Sequence, residues 1–211
     1  MTPVQTYYET LACSIIKKLE KRGMEGYYCP DSKSAVEMAL SMMPEGSTIT
    51  WGGSVTIAET GLVAALDPDR YHILDREKAK TPEERKECYR QAFGADYFLM
   101  STNAITKDGE LVNIDGTGNR VAALSYGPEH ILMMVGMNKV EPDLQAAINR
   151  VHNTAAPANA IRIGMNTPCS KTGSCADCLS PDCICAHTLI TRFNRFPGRI
   201  KVILIGETLG Y

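Results

Sequence analysis

The sequence predicts an α/β fold built on a mostly parallel sheet that helices cover on both faces. Two short, continuous apolar runs, HILMMVG at 130–136 and IKVILI at 200–205, are typical of strands buried on both faces. Strand-like and helix-like segments alternate along the chain, which is the pattern of βαβ units. The length of 211 residues suits one such domain with a small appendage.

In the N-terminal half, apolar periodicity and breaker residues set the expected elements. The first predicted helix ends at Gly23, the second is stopped by Pro44, and a charged, solvated helix has Pro82 in its first turn. The predicted helices span 5–22, 34–43, 57–66 and 75–93, and the predicted strands span 26–29, 47–51, 71–74 and 97–101.

In the C-terminal half, Lys107-Asp108-Gly109 is expected to close a hairpin whose second arm is 110–114. Residues 121–125 begin a helix or a strand, and 144–153 form a helix. The apolar run at 130–136 should be a central strand. A cysteine-rich segment at about 166–188 interrupts the chain before the last strand and is interpreted as an insertion docked on one domain, 1–211.

Composition excludes several functional classes. A net charge of −2 does not indicate a nucleic-acid-binding protein, which usually carries an excess of basic residues. No apolar run approaches the ~18–20 residues that a membrane span needs. Residues 1–20 follow an amphipathic helix pattern, unlike the apolar core of a signal peptide, so a reducing cytoplasm is the expected location.

Five of the eight cysteines lie close together: Cys169, Cys175, Cys178, Cys183 and Cys185. Soft thiolates at this spacing suit a zinc ion or an iron–sulfur cluster. One C-x2-C pair, and a run too short for a zinc ribbon with knuckles ~15–20 residues apart, favour a [4Fe–4S] cluster. The alternatives to a cluster are a structural zinc ion and thiols that are free or disulfide-bonded. His187 either binds the metal through a ring nitrogen or lies near the site without binding it.

The predicted ligands are Cys169, Cys175, Cys178 and Cys185. Cys175 and Cys178 form the best-spaced pair, and Pro168 fixes the approach of Cys169. Cys183 and Cys185 are two residues apart, so strand-like alternation would point their side chains in opposite directions. The two are therefore not expected to bind the same cluster together, and Cys183 is the spare or substitute thiol.

The segment WGGSVT at 51–56 joins a strand to a helix through two glycines. Such a turn allows close backbone approach to an anion, although many strand–helix turns contain glycines for geometry alone. The anion-binding candidates here are Gly52, Gly53, Ser54 and Thr56. Glu59 either faces the same cleft as a catalytic carboxylate or merely complements the helix dipole.

A second polar loop, NIDGTGNR at 113–120, follows a predicted strand. Asp115 is the candidate general base. Arg120 is a candidate for binding a carboxylate or phosphate through two parallel hydrogen bonds. The further candidates at this edge of the sheet are Asn103, Thr117, Gly118 and Asn119. The alternative is a loop whose polar residues stabilise turns, and AAPAN at 155–159 is either one wall of the cleft or a turn set by proline.

Several segments resemble the LUD family of lactate-utilisation-type proteins. They are WGGSVTIAETGL, GADYFLMSTNAITKDGELVNIDGTGNRVAALSYGP, VGMNKV, AAPANAIR, TPCSKTGSCADC and VILIGETLGY. The resemblance covers essentially the whole chain, and its motifs occur in order. It implies a three-layer fold of the NagB/RpiA/CoA-transferase type, a cleft at the Asp115 loop, and the four cysteine ligands above. Cys183 stands where this branch typically has another residue, often Arg.

The resulting hypothesis is an iron–sulfur protein of lactate or related organic-acid metabolism that binds a small anionic metabolite. The alternatives are a non-redox isomerase- or transferase-like enzyme with a structural metal loop, and a non-catalytic subunit. Iron–sulfur or oxidoreductase proteins are the expected partners, and a homo-oligomer is an open alternative. The G-x-G-x-x-G fingerprint of nicotinamide and flavin enzymes does not occur.

Overall fold

The computed structural model describes all residues from 1 to 211. The strands are β1 (Glu25–Cys29), β2 (Thr48–Trp51), β3 (His72–Leu74), β4 (Tyr97–Met100), β5 (Ala104–Thr106), β6 (Leu111–Asp115), β7 (His130–Gly136), β8 (Val140–Glu141), β9 (His187–Thr191) and β10 (Ile200–Ile205). The α-helices are α1 (Pro3–Lys21), α2 (Ser32–Ser41), α3 (Val55–Thr60), α4 (Pro82–Ala92), α5 (Asn119–Ser125), α6 (Leu144–Arg150), α7 (Ala156–Arg162) and α8 (Pro168–Thr172). None of these helices has the length and apolar character to cross a membrane.

The main sheet has six strands in the order β1-β10-β7-β4-β2-β3. Every neighbouring pair in it is parallel. The two apolar runs of the sequence, β7 and β10, lie next to each other inside the sheet, as their composition predicts. The expected α/β class with a mostly parallel sheet is therefore confirmed.

Helices pack on both faces of the main sheet and form three layers. On β7, Ile131 and Met133 contribute to one core together with Ile15 of α1. Leu132, which alternates with them, contributes to a second core on the other face with Ala35 of α2. The period-two alternation of a strand thus supplies both cores from one apolar run.

A second, smaller sheet has the order β8-β5-β6-β9, which the sequence did not predict. The expected hairpin forms its centre, with β5 and β6 antiparallel around Lys107–Gly109. β9 then pairs antiparallel with β6 and sets Asp115 opposite His187. Because β9 directly follows the cysteine-rich segment, this pairing holds that segment against the Asp115 loop.

Four expected elements differ from the structure. The helix expected at 75–93 is α4, which begins only at Pro82, after a separate 3₁₀ turn at Arg76–Lys78. The helix expected at 57–66 is α3, which ends at Thr60 because Gly61 adopts a left-handed conformation with φ 78°. The helix expected at 144–153 is α6, which passes into a π-helical turn at Val151–Ala155. The turn expected at 155–159 is helical, because Pro157 lies at the start of α7, where a missing N–H is tolerated.

Candidate functional site

A cavity of about 330 Å³ lies at the carboxyl edge of the main sheet. Residues that follow β2, β4 and β7 line it, and the Asp115 loop, which follows β6, forms the opposite wall. Ligands of open α/β folds bind beyond the carboxyl ends of the strands. The position of this cavity therefore makes it the candidate binding site.

Most of the residues predicted from the sequence meet in this cavity. Those that line it are Gly53, Ser54, Thr56, Asn103, Asp115, Thr117, Asn119 and Arg120. Ser54 caps α3 by accepting a hydrogen bond from the Ile57 N–H at 3.3 Å. The AAPAN segment also contributes Ala155, Ala156 and Asn159, so of its two alternatives it forms a wall of the cavity, as a helix.

Three predicted site residues do not line the cavity. Gly52 lies against Arg120, where a Cβ atom would come within 3.1 Å of the arginine Cδ. Gly118, at φ 84°, packs against the ring of His187. Glu59 is exposed and accepts a hydrogen bond from the Gly210 N–H, which anchors the segment after β10. These residues lie outside the lining and support the residues that form it.

The carboxylate of Asp115 is occupied by the backbone of its own loop. Oδ1 accepts the N–H groups of Thr117 and Gly118 at 3.1 and 2.9 Å. Oδ2 accepts those of Arg120 and Val121 at 3.1 and 3.4 Å. A carboxylate offers about four lone-pair sites, so all are engaged. These contacts give Asp115 a structural role at the start of α5, and its role as a general base stays a prediction.

The guanidinium of Arg120 is also held by protein groups. Nη1 donates to Asn113 Oδ1 at 2.6 Å and Nη2 donates to Asn103 Oδ1 at 2.8 Å and to the Ile114 carbonyl. Nε lies 3.9 Å from Asp115 Oδ2. Burial lowers the pKa of Arg120, and the negative charge of Asp115 partly offsets that effect. Arg120 thus joins β4, β6 and α5 and forms part of the cavity floor.

Lys139 lies at the same floor and was not among the predicted residues. It is 2% exposed, and its Nζ donates to Thr56 Oγ1 at 2.7 Å, Ser101 Oγ at 3.1 Å and the Thr102 carbonyl at 3.3 Å. No carboxylate lies within ion-pair distance of it. Burial, and then the charges of Arg150 and Arg120, lower the pKa of Lys139 to about 7.

Positive charge dominates the lining of the cavity. The basic lining residues are Arg76, Arg120, Lys139 and Arg162, and Asp115 is the only lining residue with a side-chain carboxylate; Glu77, outside the lining, pairs with Arg76 at 3.1 Å. Arg162 is exposed and donates to Asn159 Oδ1 at 2.7 and 3.1 Å, so it lies on the solvent side. A concave site with this excess of cations attracts small anions.

The cysteine-rich segment packs directly on this cavity. Ile184, which lies between Cys183 and Cys185, is one of the lining residues. Gly116 makes the close approach possible, because a Cβ atom there would lie 3.1 Å from Ile184 Cα and 3.4 Å from the Cys183 carbonyl oxygen. Two thiol-bearing residues therefore flank one wall residue of the cavity.

The thiols of Cys183 and Cys185 face the same side, contrary to the expectation of opposite directions. Their Sγ atoms are 3.2 Å apart, because this stretch is irregular and has no strand alternation. Burial, the hydrogen bond with Cys183 and the thiols of Cys175 and Cys178 raise the pKa of Cys185 to about 12. The geometric reason for treating Cys183 as the spare thiol is therefore wrong.

The other thiols of the segment have polar neighbours. Cys175 Sγ lies 3.7 Å from Nδ1 of His152, in the π-helical turn, and Cys169 Sγ lies 3.2 Å from Thr167 Oγ1. None of the eight cysteines forms a disulfide. The thiols suit a soft metal in chemistry, yet no three His, Cys, Asp or Glu side chains are grouped so that they could hold a metal ion.

The family model of the LUD domain, which describes the sequences of that family, matches residues 14–205 of this chain. The chain belongs to the LUD domain family. A crystal structure of a DUF162 family protein from Deinococcus radiodurans is similar to it at 13% identity, with a TM-score of 0.49, covering 94% of this chain and 98% of that one. No functionally curated protein matches the chain.

In this LUD domain protein, the residue that sequence reasoning missed is Lys139. The available signal was its position, since Met137-Asn138-Lys139 directly follows the most apolar strand. A polar residue just after a central parallel strand reaches the ligand edge of the sheet. His152 was missed for another reason, because its approach to Cys175 depends on a π-helical turn with no marker in the sequence.

Proposed function

We propose that this LUD domain protein binds a small organic anion in the cavity and carries a [4Fe–4S] cluster on the adjacent cysteine-rich segment. The metabolism of lactate or a related organic acid, in the cytoplasm, is the proposed setting. The observation that carries the proposal is the position of Ile184, which lines the cavity between two thiol-bearing residues. The cationic lining supports the anionic character of the ligand.

The proposed ligands of the cluster are Cys169, Cys175, Cys178 and Cys185, as the family resemblance implies. The contact between the Cys183 and Cys185 thiols makes Cys183 an alternative fourth ligand. When bound, such a cluster supplies either electron transfer or a Lewis-acidic iron. The kinship with the NagB/RpiA/CoA-transferase superfamily is part of the same proposal.

The residues of the cavity have distinct roles in binding. Lys139 contributes a basic amine without an ion-pair partner at the floor, and Arg162 contributes a positive charge on the solvent side. Arg120, saturated by its hydrogen bonds, fixes the distance between the Asp115 loop and the end of β4. Ile184 contributes apolar surface at the wall, which excludes water from the side that faces the cysteines.

The proposal is tested by anaerobic purification followed by iron and sulfide analysis and a visible spectrum. We expect about four iron and four sulfide per chain, and a spectrum that changes when lactate or pyruvate is added. Cys13→Ser, at an exposed position in α1, is the matched control that retains the cluster. A colourless protein with stoichiometric zinc would overturn the redox function.

A non-redox enzyme is the second candidate, and Lys139 favours it. An amine with a pKa of about 7 can exchange protons at neutral pH without any cofactor. The cysteine-rich segment would then be a structural staple around a metal. Turnover of a phosphorylated or carboxylated substrate by the metal-free protein would distinguish this function from the first.

A further inference from the structure

Lys139 stands apart from the other charged groups of the cavity. Asp115 is saturated by four backbone N–H groups, and Arg120 by carbonyl and amide oxygens. Arg76 and Arg162 are guanidinium groups, which stay charged at all physiological pH values. The amine of Lys139 is the group of the floor that can gain and lose a proton without breaking an ion pair.

The surroundings of Nζ are compatible with both states of the amine. As an ammonium it donates three hydrogen bonds, to Thr56, Ser101 and the Thr102 carbonyl. The two hydroxyls donate long hydrogen bonds of 3.3 Å, Thr56 to the Leu209 carbonyl and Ser101 to the Thr102 carbonyl. Turning either hydroxyl toward a neutral amine therefore costs little, since only a weak bond is lost.

Neighbouring positive charge favours the neutral amine. Arg150 and Arg120 act on Lys139 from α6 and α5, while Glu59 on α3 is the carboxylate that opposes them. Glu141 is engaged with Arg150 at 3.7 Å and Asp115 with Arg120 at 3.9 Å, so neither pairs with the lysine. A buried lysine next to cationic groups is the arrangement that makes an amine nucleophilic near neutral pH.

We propose that the ε-amine of Lys139 forms an imine with a small ketone or aldehyde that also carries an anionic group. The inference rests on the proposed function only in taking the cavity as the ligand site, and it adds the substrate class and the reacting atom. The carbonyl carbon lies at Nζ on the floor. The anionic group is held by the guanidinium groups of Arg76 and Arg162, the two other basic groups of the lining that the floor does not saturate.

The proposed step is balanced within the protein and its ligand. The Nζ lone pair forms a bond to the carbonyl carbon, and a proton passes from nitrogen to the former carbonyl oxygen. The second nitrogen proton passes to the resulting hydroxyl as the C–O bond breaks, so that water leaves and a neutral imine remains. The hydroxyls of Thr56 and Ser101 border Nζ and are placed to move these protons. No oxidant, reductant or metal is needed.

Two sources share this ligand chemistry, 2-oxo acids and phosphorylated ketones. The experiment treats the protein with sodium borohydride in the presence of pyruvate, glyoxylate or dihydroxyacetone phosphate. Borohydride reduces an imine to a stable secondary amine, which intact and peptide mass spectrometry locate. We expect stoichiometric labelling at Lys139 by one of these probes, and the mass of the adduct identifies the source.

Two variants serve as controls. Lys139→Arg keeps a cation but cannot form an imine, and it should lose all labelling. Lys17→Arg lies on the exposed side of α1 and should label as the unchanged protein does. Thermal stabilisation by the same probes, measured without borohydride, reports binding independently of the covalent step.

The outcomes separate this inference from the proposed function. Labelling at Lys139 that Lys139→Arg abolishes supports the imine. Stabilisation by a probe without labelling overturns the imine and leaves the cavity as an anion site. If no probe stabilises or labels the protein, both the imine and the proposed anion site are overturned. Labelling spread over surface lysines, unchanged in Lys139→Arg, also overturns it.

Discussion

The floor of the cavity and the cysteine-rich segment lie in contact at Gly116, yet they are organised in opposite ways. On the floor, both carboxylate oxygens of Asp115 and both terminal nitrogens of Arg120 are hydrogen-bonded to the protein. In the cysteine-rich segment, the thiols are half-buried, unpaired by disulfides, and not grouped around a common centre. The first region is nearly saturated, with Asn113 Nδ2 as its one buried side-chain donor without a partner, whereas the thiols of the second make only contacts of 3.2–3.7 Å with polar neighbours.

The difference indicates where each region obtains its stability. Saturated hydrogen bonds in a buried site make the floor rigid before any ligand arrives, and such preorganisation is what binding and catalysis require. Clustered thiols gain little from one another, and a bound metal is a common source of stability for such segments. The floor should therefore respond to mutation through folding, and the cysteine-rich segment through metal content.

The largest effect is expected from Arg120→Ala. The substitution leaves Asp115 as a buried carboxylate without its cation and removes the donors to Asn103 and Asn113, so it should lower the free energy of unfolding by about 3–5 kcal/mol. Urea denaturation measures it. Arg162→Ala, on the solvent side, is the control and should cost less than about 0.5 kcal/mol. Equal effects of the two variants would show that the floor is not the rigid region.

Lys139→Met should stabilise the protein in a pH-dependent way. The pKa of Lys139 is lowered to about 7 in the folded state, from 10.5 as the ordinary value, so the unfolded chain binds more protons between these two pH values. The stability of the unchanged protein therefore rises with pH between about 7 and 10.5, and this contribution is level below about 7, where both states are protonated. The advantage of Lys139→Met should shrink by about 2–3 kcal/mol between pH 6 and pH 9.

Urea denaturation of both proteins at the two pH values measures this difference. Lys17→Met, at an exposed position, is the control and should show no such change. A constant difference between Lys139→Met and the unchanged protein would mean that Lys139 has an ordinary titration, and the floor would then lack its reactive amine.

A smaller effect is expected at the contact between the two regions. Gly116→Ala places a Cβ atom 3.1 Å from Ile184 Cα, so the cysteine-rich segment must shift, at a cost of about 1–2 kcal/mol. Its thiols should then react faster with a thiol reagent. Gly94→Ala is the matched control, since a Cβ there meets nothing closer than 3.7 Å and should be neutral or slightly stabilising. Identical thiol reactivity in both variants would contradict the packing.

The strands of the main sheet were predictable from the sequence because burial on both faces leaves continuous apolar runs such as 130–136 and 200–205. The polar loops after β2 and β6 were predictable as walls of one site for a related reason, since strand ends in such a fold meet at one edge. Local pattern and topology together were sufficient for these features.

Other features depend on contacts between distant residues. Lys139 resembles an ordinary loop lysine until Thr56 and Ser101 enclose it. β9 is half exposed, and it is recognisable as a strand only through its pairing with β6. The directions of the Cys183 and Cys185 side chains required the irregular backbone of their segment, which spacing alone does not reveal.

The measurement that tests the central claim most directly is iron and sulfide per chain in anaerobically prepared single serine variants of the five clustered cysteines. We expect about four iron in the unchanged protein and loss of iron in the Cys175, Cys178 and Cys185 variants. Of Cys169 and Cys183, one should be required and the other dispensable; the family resemblance selects Cys169, and the 3.2 Å contact with Cys185 makes Cys183 the competitor. Iron content that none of the five substitutions changes, or its absence from the unchanged protein, would contradict the account.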